Sequence, residues 1–261
     1  MKILMIRRAE LFSPHAVEHD RAILEAVALR LSQRGHTVSQ VDEPALATSL
    51  IADKPDFIFS MARLPESLRV LQASGIKVVN APQAVAQSSR RRLQELMISF
   101  HIPYPVGEGR HGYWLKRADA AAQTEADVVF APDSQALTEA ETAMRARGIR
   151  DYVVSPHVEG DLVKFYGVSA AGFFRYFYPT DDGQSKFGLE FRNGQARHYP
   201  FDTASLQTKA EVLAAAVGLQ VYGGDAIVTA DGSWYMIDFN DWPSFSRCRE
   251  EAAEAIAGLI Y

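Results

Sequence analysis

Residues 223–245 read GGDAIVTADGSWYMIDFNDWPSF, and this stretch is the most informative part of the sequence. Its first half contains an apolar run at residues 226–230, and residues 234–239 are rich in the aromatic and β-branched side chains typical of strands. Between them, Asp231-Gly232 is a dipeptide typical of a tight turn joining paired strands. The stretch therefore predicts a β-hairpin.

Three oxygen-bearing side chains lie at the open end of this hairpin. Asp225 enters the first strand, and Asp238 and Asn240 lie at the end of the second. Because Asp238 and Asn240 are two residues apart, both point to the same face, and strand pairing brings Asp225 close to them. Two carboxylates and an amide oxygen suit Mg²⁺, which keeps several waters and is completed by substrate phosphates. The alternative is a surface hairpin with acidic residues near its turns.

The composition is that of an ordinary globular protein and excludes several classes. The 261 residues are 48% apolar and 23% charged, and the formal net charge of −5 does not indicate a nucleic-acid footprint. No apolar run reaches about 18 residues. Residues 1–7 are typical of a first strand rather than a signal peptide. The one cysteine, Cys248, excludes a disulfide framework. We therefore expect a cytoplasmic protein without nucleic-acid or membrane partners.

Short apolar strands alternate with helical segments over residues 1–80. Strands are predicted at residues 2–6, 37–41, 56–60 and 76–80, and helices at 21–34 and 66–73. This alternation predicts a small parallel sheet. Because ligands bind at the carboxyl ends of such strands, residues 7–20 and 60–63 are candidates for ligand contact.

The rest of the chain, after a boundary at Asn80-Ala81-Pro82, mixes helices with antiparallel strands. Helices are predicted at residues 83–100, 137–147, 208–217 and 250–260. Besides the hairpin, strands are predicted at residues 113–117, 126–130, 151–155, 162–169 and 172–178. The fold class expected from these segments is α/β (α+β).

The order of sequence motifs identifies a candidate family. The helix at 83–100 is followed by an Ile-Pro-x-Pro passage at 102–105 and by a lysine on a strand, Lys116. A Val-Val-x-x-x-Val-Glu-Gly hinge follows at 153–160, then Lys164, and then Gly-x-Asp and Asp-x-Asn in the hairpin. Over roughly residues 80–250 this ordered set resembles the ATP-grasp superfamily.

The resemblance implies three lobes, with ATP held between the second and the third. Residues 1–80 would form a small parallel α/β N-terminal lobe, and residues 81–150 a central α+β lobe. Residues 151–261 would form a C-terminal antiparallel α+β lobe that carries the metal site.

Roles for individual residues follow from the resemblance, position by position. The residues that look like the Mg²⁺ ligands are Asp225, Asp238 and Asn240. Those that look like the phosphate-binding cations are Lys116, Lys164 and, near the position of another family lysine, Arg90. The hinge segment whose backbone would bind adenine contains Val153, Val154, Ser155 and His157. Asp161 or Glu159 would replace the ribose-binding glutamate, and the residues expected to stabilise an anionic intermediate are Lys164, Arg247 and Arg249.

The resemblance implies an ATP- and Mg²⁺-dependent enzyme. Most branches are carboxylate–amine ligases, here most similar to the glutathione synthetase and ribosomal-protein glutamate ligase type. The tract Leu162-Val163-Lys164, together with His157 and Asp238, is similar to inositol polyphosphate kinases, so a small-molecule kinase is the alternative. The expected partners are therefore small molecules, a carboxylate and an amine or a polyol. Because the family commonly dimerises, a homodimer is also expected.

One departure from the family pattern favours a third interpretation. The family's glycine-rich phosphate loop is absent from residues 117–126, which read RADAAAQTEA. Glycine allows backbone N–H groups to approach phosphates closely. A nucleotide-binding protein that has lost catalysis is therefore also considered.

Overall fold

The computed structural model describes residues 1–13, 16–119, 122, 124–182 and 192–260. Within these ranges the chain forms two four-stranded sheets and one three-stranded sheet, with helices packed on them. This combination of one parallel sheet and two antiparallel sheets confirms the predicted α/β (α+β) fold class.

The N-terminal lobe contains the predicted parallel sheet, in the strand order β2-β1-β3-β4. Its elements are β1 (Lys2–Arg7), α1 (Val17–Gln33), β2 (Thr37–Asp42), α2 (Leu46–Asp53), β3 (Phe57–Ser60), α3 (Pro65–Ala73) and β4 (Lys77–Val79). Strand β1 is central, and its residues Ile3, Leu4, Met5 and Ile6 are almost fully buried. Apolar side chains on both faces are expected of a parallel strand that helices cover on each side.

The central lobe begins with two helices rather than the single helix predicted for residues 83–100. They are α4 (Pro82–Gln87) and α5 (Arg90–Ser99). The chain breaks at Ser88 and Ser89, where the Ser89 side chain accepts a hydrogen bond from the Arg92 N–H. Serine competes well for the free N–H groups of a first turn, so Ser89 starts a new helix.

A three-stranded antiparallel sheet in the order β6-β5-β7 forms the rest of the central lobe. Its elements are β5 (Tyr113–Arg117), β6 (Val128–Ala131), α6 (Ser134–Ala146) and β7 (Tyr152–Pro156). In β7, Val153 pairs with Lys116 of β5. The sheet therefore crosses the lobe boundary that we drew at residue 150, and β7 forms its edge.

The C-terminal lobe is an antiparallel sheet in the order β11-β10-β8-β9. Its elements are β8 (Asp161–Val168), β9 (Phe173–Phe177), α7 (Pro179–Asp182), α8 (Thr203–Val217), β10 (Val221–Val228), β11 (Trp234–Asp241) and α9 (Arg249–Ala257). Strands β10 and β11 are the predicted hairpin, which the pairing of Val228 with Trp234 confirms.

The N-terminal and C-terminal lobes share one hydrophobic core. Phe59 of the parallel sheet packs with Trp242 and Phe245, which follow the hairpin. Asn80 reinforces the contact, because its side chain donates to the Val221 carbonyl at 2.7 Å and accepts the Gln220 N–H at 2.8 Å. The end of β11 is therefore fixed against the N-terminal lobe. Within the described ranges, no helix has both the length and the apolar composition needed to cross a membrane.

Candidate active site

A cleft of about 970 Å³ is lined by residues of all three lobes. Trp114 and Lys116 of β5, and the segment after β7, line it from the central lobe. Strands β8, β10 and β11 line it from the C-terminal lobe, while Arg8 and Arg63 reach it from the N-terminal lobe. A concave site of this size, with several polar groups, is the expected form of a small-molecule site.

The three predicted metal ligands lie together at this cleft. Asp225 and Asp238 are direct cross-strand neighbours in the hairpin, and the pairing shifts by a β-bulge between Asp225 and Ala226. Their side chains remain 23% and 19% exposed, so both carboxylates are reachable from the cleft. Asn240 follows on the same strand and hydrogen-bonds Asp238. We call Asp225, Asp238 and Asn240 the metal corner.

The donor set of the metal corner fits Mg²⁺. No group of three or more carboxylate, imidazole or thiolate side chains suited to a metal occurs in the described part of the chain. Mg²⁺ does not need one, because proteins usually hold it with one or two carboxylates and leave further positions to water and phosphate.

Three cations surround the metal corner. Lys164 Nζ lies 3.1 Å from Asp225 Oδ1, and Arg90 Nε lies 3.7 Å from Asp238 Oδ1. Lys116 is buried, and its Nζ donates to the Ile237 carbonyl at 2.8 Å, one residue before Asp238. The structure thus brings together six residues that are far apart in sequence, from Arg90 to Asn240.

The charges of this cluster perturb one another. Burial raises the pKa of Asp238, but Arg90 and Lys116 outweigh this effect, so the pKa is lowered overall. Burial lowers the pKa of Lys116, which Asp238 only partly offsets. Arg90 donates through Nη1 to the Arg117 carbonyl at 2.8 Å, while its buried Nε has no hydrogen-bond partner among the described residues. A cation with such a donor is suited to an anionic ligand.

The predicted hinge forms the other end of the cleft. Ser155, Pro156, His157 and Val158 line it at the end of edge strand β7. The Trp114 Nε1–H donates to His157 Nδ1 at 3.0 Å, so Nδ1 acts as an acceptor. Burial and, after it, nearby Arg192 lower the pKa of His157, which favours the neutral ring that this hydrogen bond requires. Val153 and Val154 lie farther back in β7, paired with Lys116 and Leu115.

Besides Val153 and Val154, three predicted site residues are not among the described residues that line the cleft. Asp161 accepts the N–H groups of Arg197 and Tyr199 at 2.8 and 2.9 Å, so its carboxylate holds that segment against β8. Arg247 hydrogen-bonds Tyr166, and Arg249 begins α9. Roles for Asp161 in ribose binding and for the two arginines in catalysis stay predictions, which these positions do not favour.

Two charged side chains in the cleft come from loops that the sequence identified only as ranges. Arg8 and Arg63 follow strands β1 and β3 and lie within the predicted ligand loops 7–20 and 60–63. Their main partner, Asp241, was not predicted. It directly follows Asp-x-Asn, but no local pattern separates a functional aspartate there from a solvated one. Residues 14 and 15 of the first loop lie outside the described residues.

No protein-family model matches the chain. A curated relative, the formate-dependent phosphoribosylglycinamide formyltransferase of Solidesulfovibrio magneticus, is 30% identical over 135 residues. The match covers 46% of this chain and 34% of that protein, so it spans only about a third of the relative's length.

Several solved structures match nearly the whole chain, and two of them serve as examples. A RimK-domain ATP-grasp protein from Sphaerobacter thermophilus superposes with a TM-score of 0.65 at 21% identity, covering 100% of this chain and 99% of the other. D-alanyl-alanine synthetase A from Vibrio cholerae superposes with a TM-score of 0.69 at 14% identity, covering 99% and 94%. The lobes, the cleft between them and these similarities lead to one conclusion: the chain has the ATP-grasp fold.

Proposed function

We propose that this protein is an ATP- and Mg²⁺-dependent ligase that joins a carboxylate substrate to an amine through an acyl phosphate. The observation that carries the proposal is the metal corner facing Lys116, Lys164 and Arg90 in one cleft. A triphosphate with its magnesium ion needs this combination of oxygen ligands and cations. Phosphoryl transfer depends mainly on positioning and charge neutralisation.

The reaction needs no nucleophile from the protein. A carboxylate oxygen of the substrate attacks the γ-phosphorus, the bond to ADP breaks, and an acyl phosphate forms. The amine then attacks the carbonyl carbon, phosphate leaves and the amine loses a proton. Magnesium, when bound, would neutralise phosphate charge, while Lys116, Lys164 and Arg90 hold the phosphate oxygens. Burial raises the pKa of Cys248 to about 12, so its thiol is not a competing nucleophile.

The names of the similar proteins support attack by a carboxylate. One is a synthetase and another a formate-dependent formyltransferase, and formate is itself a carboxylate. A small-molecule kinase is the second candidate, favoured by Leu162 and Lys164, which both line the cleft, and by an aspartate at position 238. In that case a hydroxyl attacks the γ-phosphorus. Loss of catalysis, favoured by the glycine-poor segment 117–126, is the third.

One incubation separates the three candidates. The protein is mixed with ATP, MgCl₂ and pooled amino acids, carboxylic acids and polyols, and ADP, free phosphate and product masses are measured. A ligase releases ADP and phosphate together and yields an amide. A kinase yields ADP and a phosphorylated polyol without free phosphate. Nucleotide binding without ADP release indicates lost catalysis.

The metal assignment has its own test. The double variant Asp238→Ala, Asn240→Ala removes two of the three oxygen ligands and should abolish turnover. Asp231→Ala, at the opposite, exposed end of the same hairpin, is the matched control and should keep it. Retained turnover in the double variant would overturn the metal corner.

A further inference from the structure

Four charged side chains form a buried cluster between the N-terminal lobe and the end of β11. Arg8, Asp20, Arg63 and Asp241 are only 8, 9, 14 and 4% exposed. We call these four residues the arginine–aspartate network. It contacts neither the hinge nor the phosphate-binding lysines through any described hydrogen bond or ion pair, yet it lines the same cleft.

On the C-terminal side, the network holds the residues that directly follow the metal corner. Arg63 Nη2 donates to Asp241 Oδ1 and, at 3.3 Å, to the Asp241 carbonyl. Arg8 Nη2 donates to the carbonyls of Asp241 at 3.4 Å and of Trp242 at 2.8 Å. Trp242 has a left-handed backbone with φ of 37°, unusual for a residue with a large side chain. The arginines therefore stabilise the turn that ends β11 just beyond Asn240.

On the N-terminal side, hydrogen bonds within the N-terminal lobe hold the network in place. Arg8 Nη1 donates to Asp20 Oδ2 at 3.1 Å, and Ser13 Oγ donates to the same oxygen at 2.5 Å. Buried Glu43 accepts the N–H groups of Ala9, Arg63 and Leu64 at 2.9, 2.8 and 2.6 Å, which fixes both arginine-bearing loops. Hydrogen bonds thus connect the parallel sheet to Asp241, which directly follows Asn240 of the metal corner.

We infer that Arg8 and Arg63 are positioning residues that act through Asp241 to orient Asp238 and Asn240 for the metal ion. This inference rests on the proposed function, because it assumes that the metal corner binds a metal. Residues that orient metal ligands without contacting the metal themselves typically contribute 10- to 100-fold to metal affinity. Removing one partner of a buried ion pair is costly because it leaves an uncompensated buried charge, so loss of the Asp241 charge should disturb both arginines.

A second charged contact between the same lobes provides the control. Arg30 of α1 and Arg34, which caps that helix, pair with Glu250 and Glu254 of α9, outside the cleft. If the arginine–aspartate network only held the lobes together, loss of either contact would have the same consequence. If it positions the metal corner, only loss of Asp241 affects metal binding.

The test compares Asp241→Asn with Glu254→Gln in the full chain. The amide still accepts a hydrogen bond from Arg63 but loses the charge. Two affinities are measured: that of a nonhydrolysable ATP analogue in EDTA, and that of Mn²⁺ for the protein–analogue complex, by electron paramagnetic resonance. Asp241→Asn should weaken Mn²⁺ binding about 10- to 100-fold and leave the metal-free nucleotide affinity within about twofold. Glu254→Gln should change neither.

The outcomes distinguish failure of this inference from failure of the proposed function. Equal Mn²⁺ affinities in the wild type and Asp241→Asn, or equal losses in both variants, would overturn the positioning role. If the wild-type protein–analogue complex binds no Mn²⁺, the proposed function is overturned, and the inference with it. If Asp241→Asn does not fold, Arg63→Lys replaces it. A lysine keeps the charge but not the planar fork, and it should weaken Mn²⁺ binding selectively.

Discussion

At the scale of single residues, Lys164 and Asp225 form an ion pair. In the proposed function the lysine would bind phosphate and the aspartate would bind the metal ion. The Lys164 ammonium lies 3.1 Å from the Asp225 carboxylate, so phosphate would compete with the carboxylate for the lysine, and a metal ion would compete with the lysine for the carboxylate.

 Because the two groups neutralise each other in the free protein, the nucleotide and the metal should each bind better once the other has bound. Such coupling is reciprocal by thermodynamic necessity.

Replacing Lys164 by methionine should separate these two effects. Lys164→Met should weaken binding of the metal-free ATP analogue by about tenfold or more, since hydrogen bonds to charged groups contribute about 1.5–3 kcal/mol. The same change should strengthen binding of Mn²⁺ without nucleotide, because a cation beside Asp225 is gone. Calorimetric titrations measure both affinities, and Lys209→Met, on the exposed surface of α8, is the control. Equal weakening of both ligands would contradict the ion-pair model.

His157 should make the stability of the folded protein depend on pH. Its pKa is lowered in the folded protein, by burial first and then by Arg192, from an ordinary value near 6.5. Below that ordinary value the unfolded chain takes up a proton that the folded chain resists, so the folded state loses stability as the pH falls towards the lowered pKa. Above it, both states are neutral at this residue and the contribution is constant.

The measurement is the free energy of unfolding at several pH values between about 7.5 and about 5. His157→Gln should flatten the decline below about pH 6.5. His19→Gln, on the exposed side of α1, should leave the wild-type curve unchanged. An equally steep decline in His157→Gln would contradict the role of the neutral ring.

At the scale of elements, the hairpin needs glycine where the metal corner begins. A Cβ at Gly224 would lie 2.4 Å from the Asp238 carbonyl oxygen and 2.5 Å from the Phe165 ring. Neither neighbour can move easily, because one is backbone and the other is buried in the core. The close approach of β10 to β11 therefore depends on the missing side chain.

Gly224→Ala should accordingly destabilise the protein by about 1–3 kcal/mol, the usual cost of overpacking. It should also weaken metal-dependent nucleotide binding, because Asp225 and Asp238 flank the clash. Gly258→Ala is the matched control, since a Cβ there meets nothing within 4 Å. Denaturant unfolding and nucleotide titration provide the two readouts. A Gly224→Ala protein as stable as Gly258→Ala would contradict the close approach.

Helices and strands could be predicted from the sequence wherever a local sequence pattern is sufficient to define them. The hairpin was predicted because its turn and strand composition are encoded within two dozen residues. The helix predicted at 83–100 was wrong in one respect, because the apolar period continues through Ser88 and Ser89 while their side chains favour a new start. Competition between a helix and its own side-chain caps is decided by the surroundings of the segment.

At the scale of the whole molecule, the nucleotide should hold the lobes together. ATP with Mg²⁺ would contact residues of the central and C-terminal lobes, so binding should stabilise the folded chain by about 2.7 kcal/mol at a hundredfold excess over Kd. For a chain of this size that corresponds to a rise in Tm of roughly 5–10 °C. Thermal unfolding with ATP and Mg²⁺, and with ATP and EDTA, measures it. No rise in the presence of both ligands would contradict nucleotide binding in the cleft.

The sequence by itself determined the fold class and the local chemistry of this protein. Strand and helix periodicity, the hairpin turn and the spacing of Asp225, Asp238 and Asn240 are short-range features, so each could be interpreted without knowing the rest of the chain. The order of these motifs along the chain then indicated the ATP-grasp fold, which the similarity to solved structures confirmed.

Only the tertiary structure decided which charges meet. Arg8 and Asp241 are 233 residues apart, and their contact exists because the N-terminal and C-terminal lobes share a core around Trp242. Arg247 and Arg249 lie near the metal corner in sequence but are not among the described residues that line the cleft, and Arg249 begins α9. Side-chain partners across a lobe interface depend on how whole elements pack, and a local pattern carries no information about that packing.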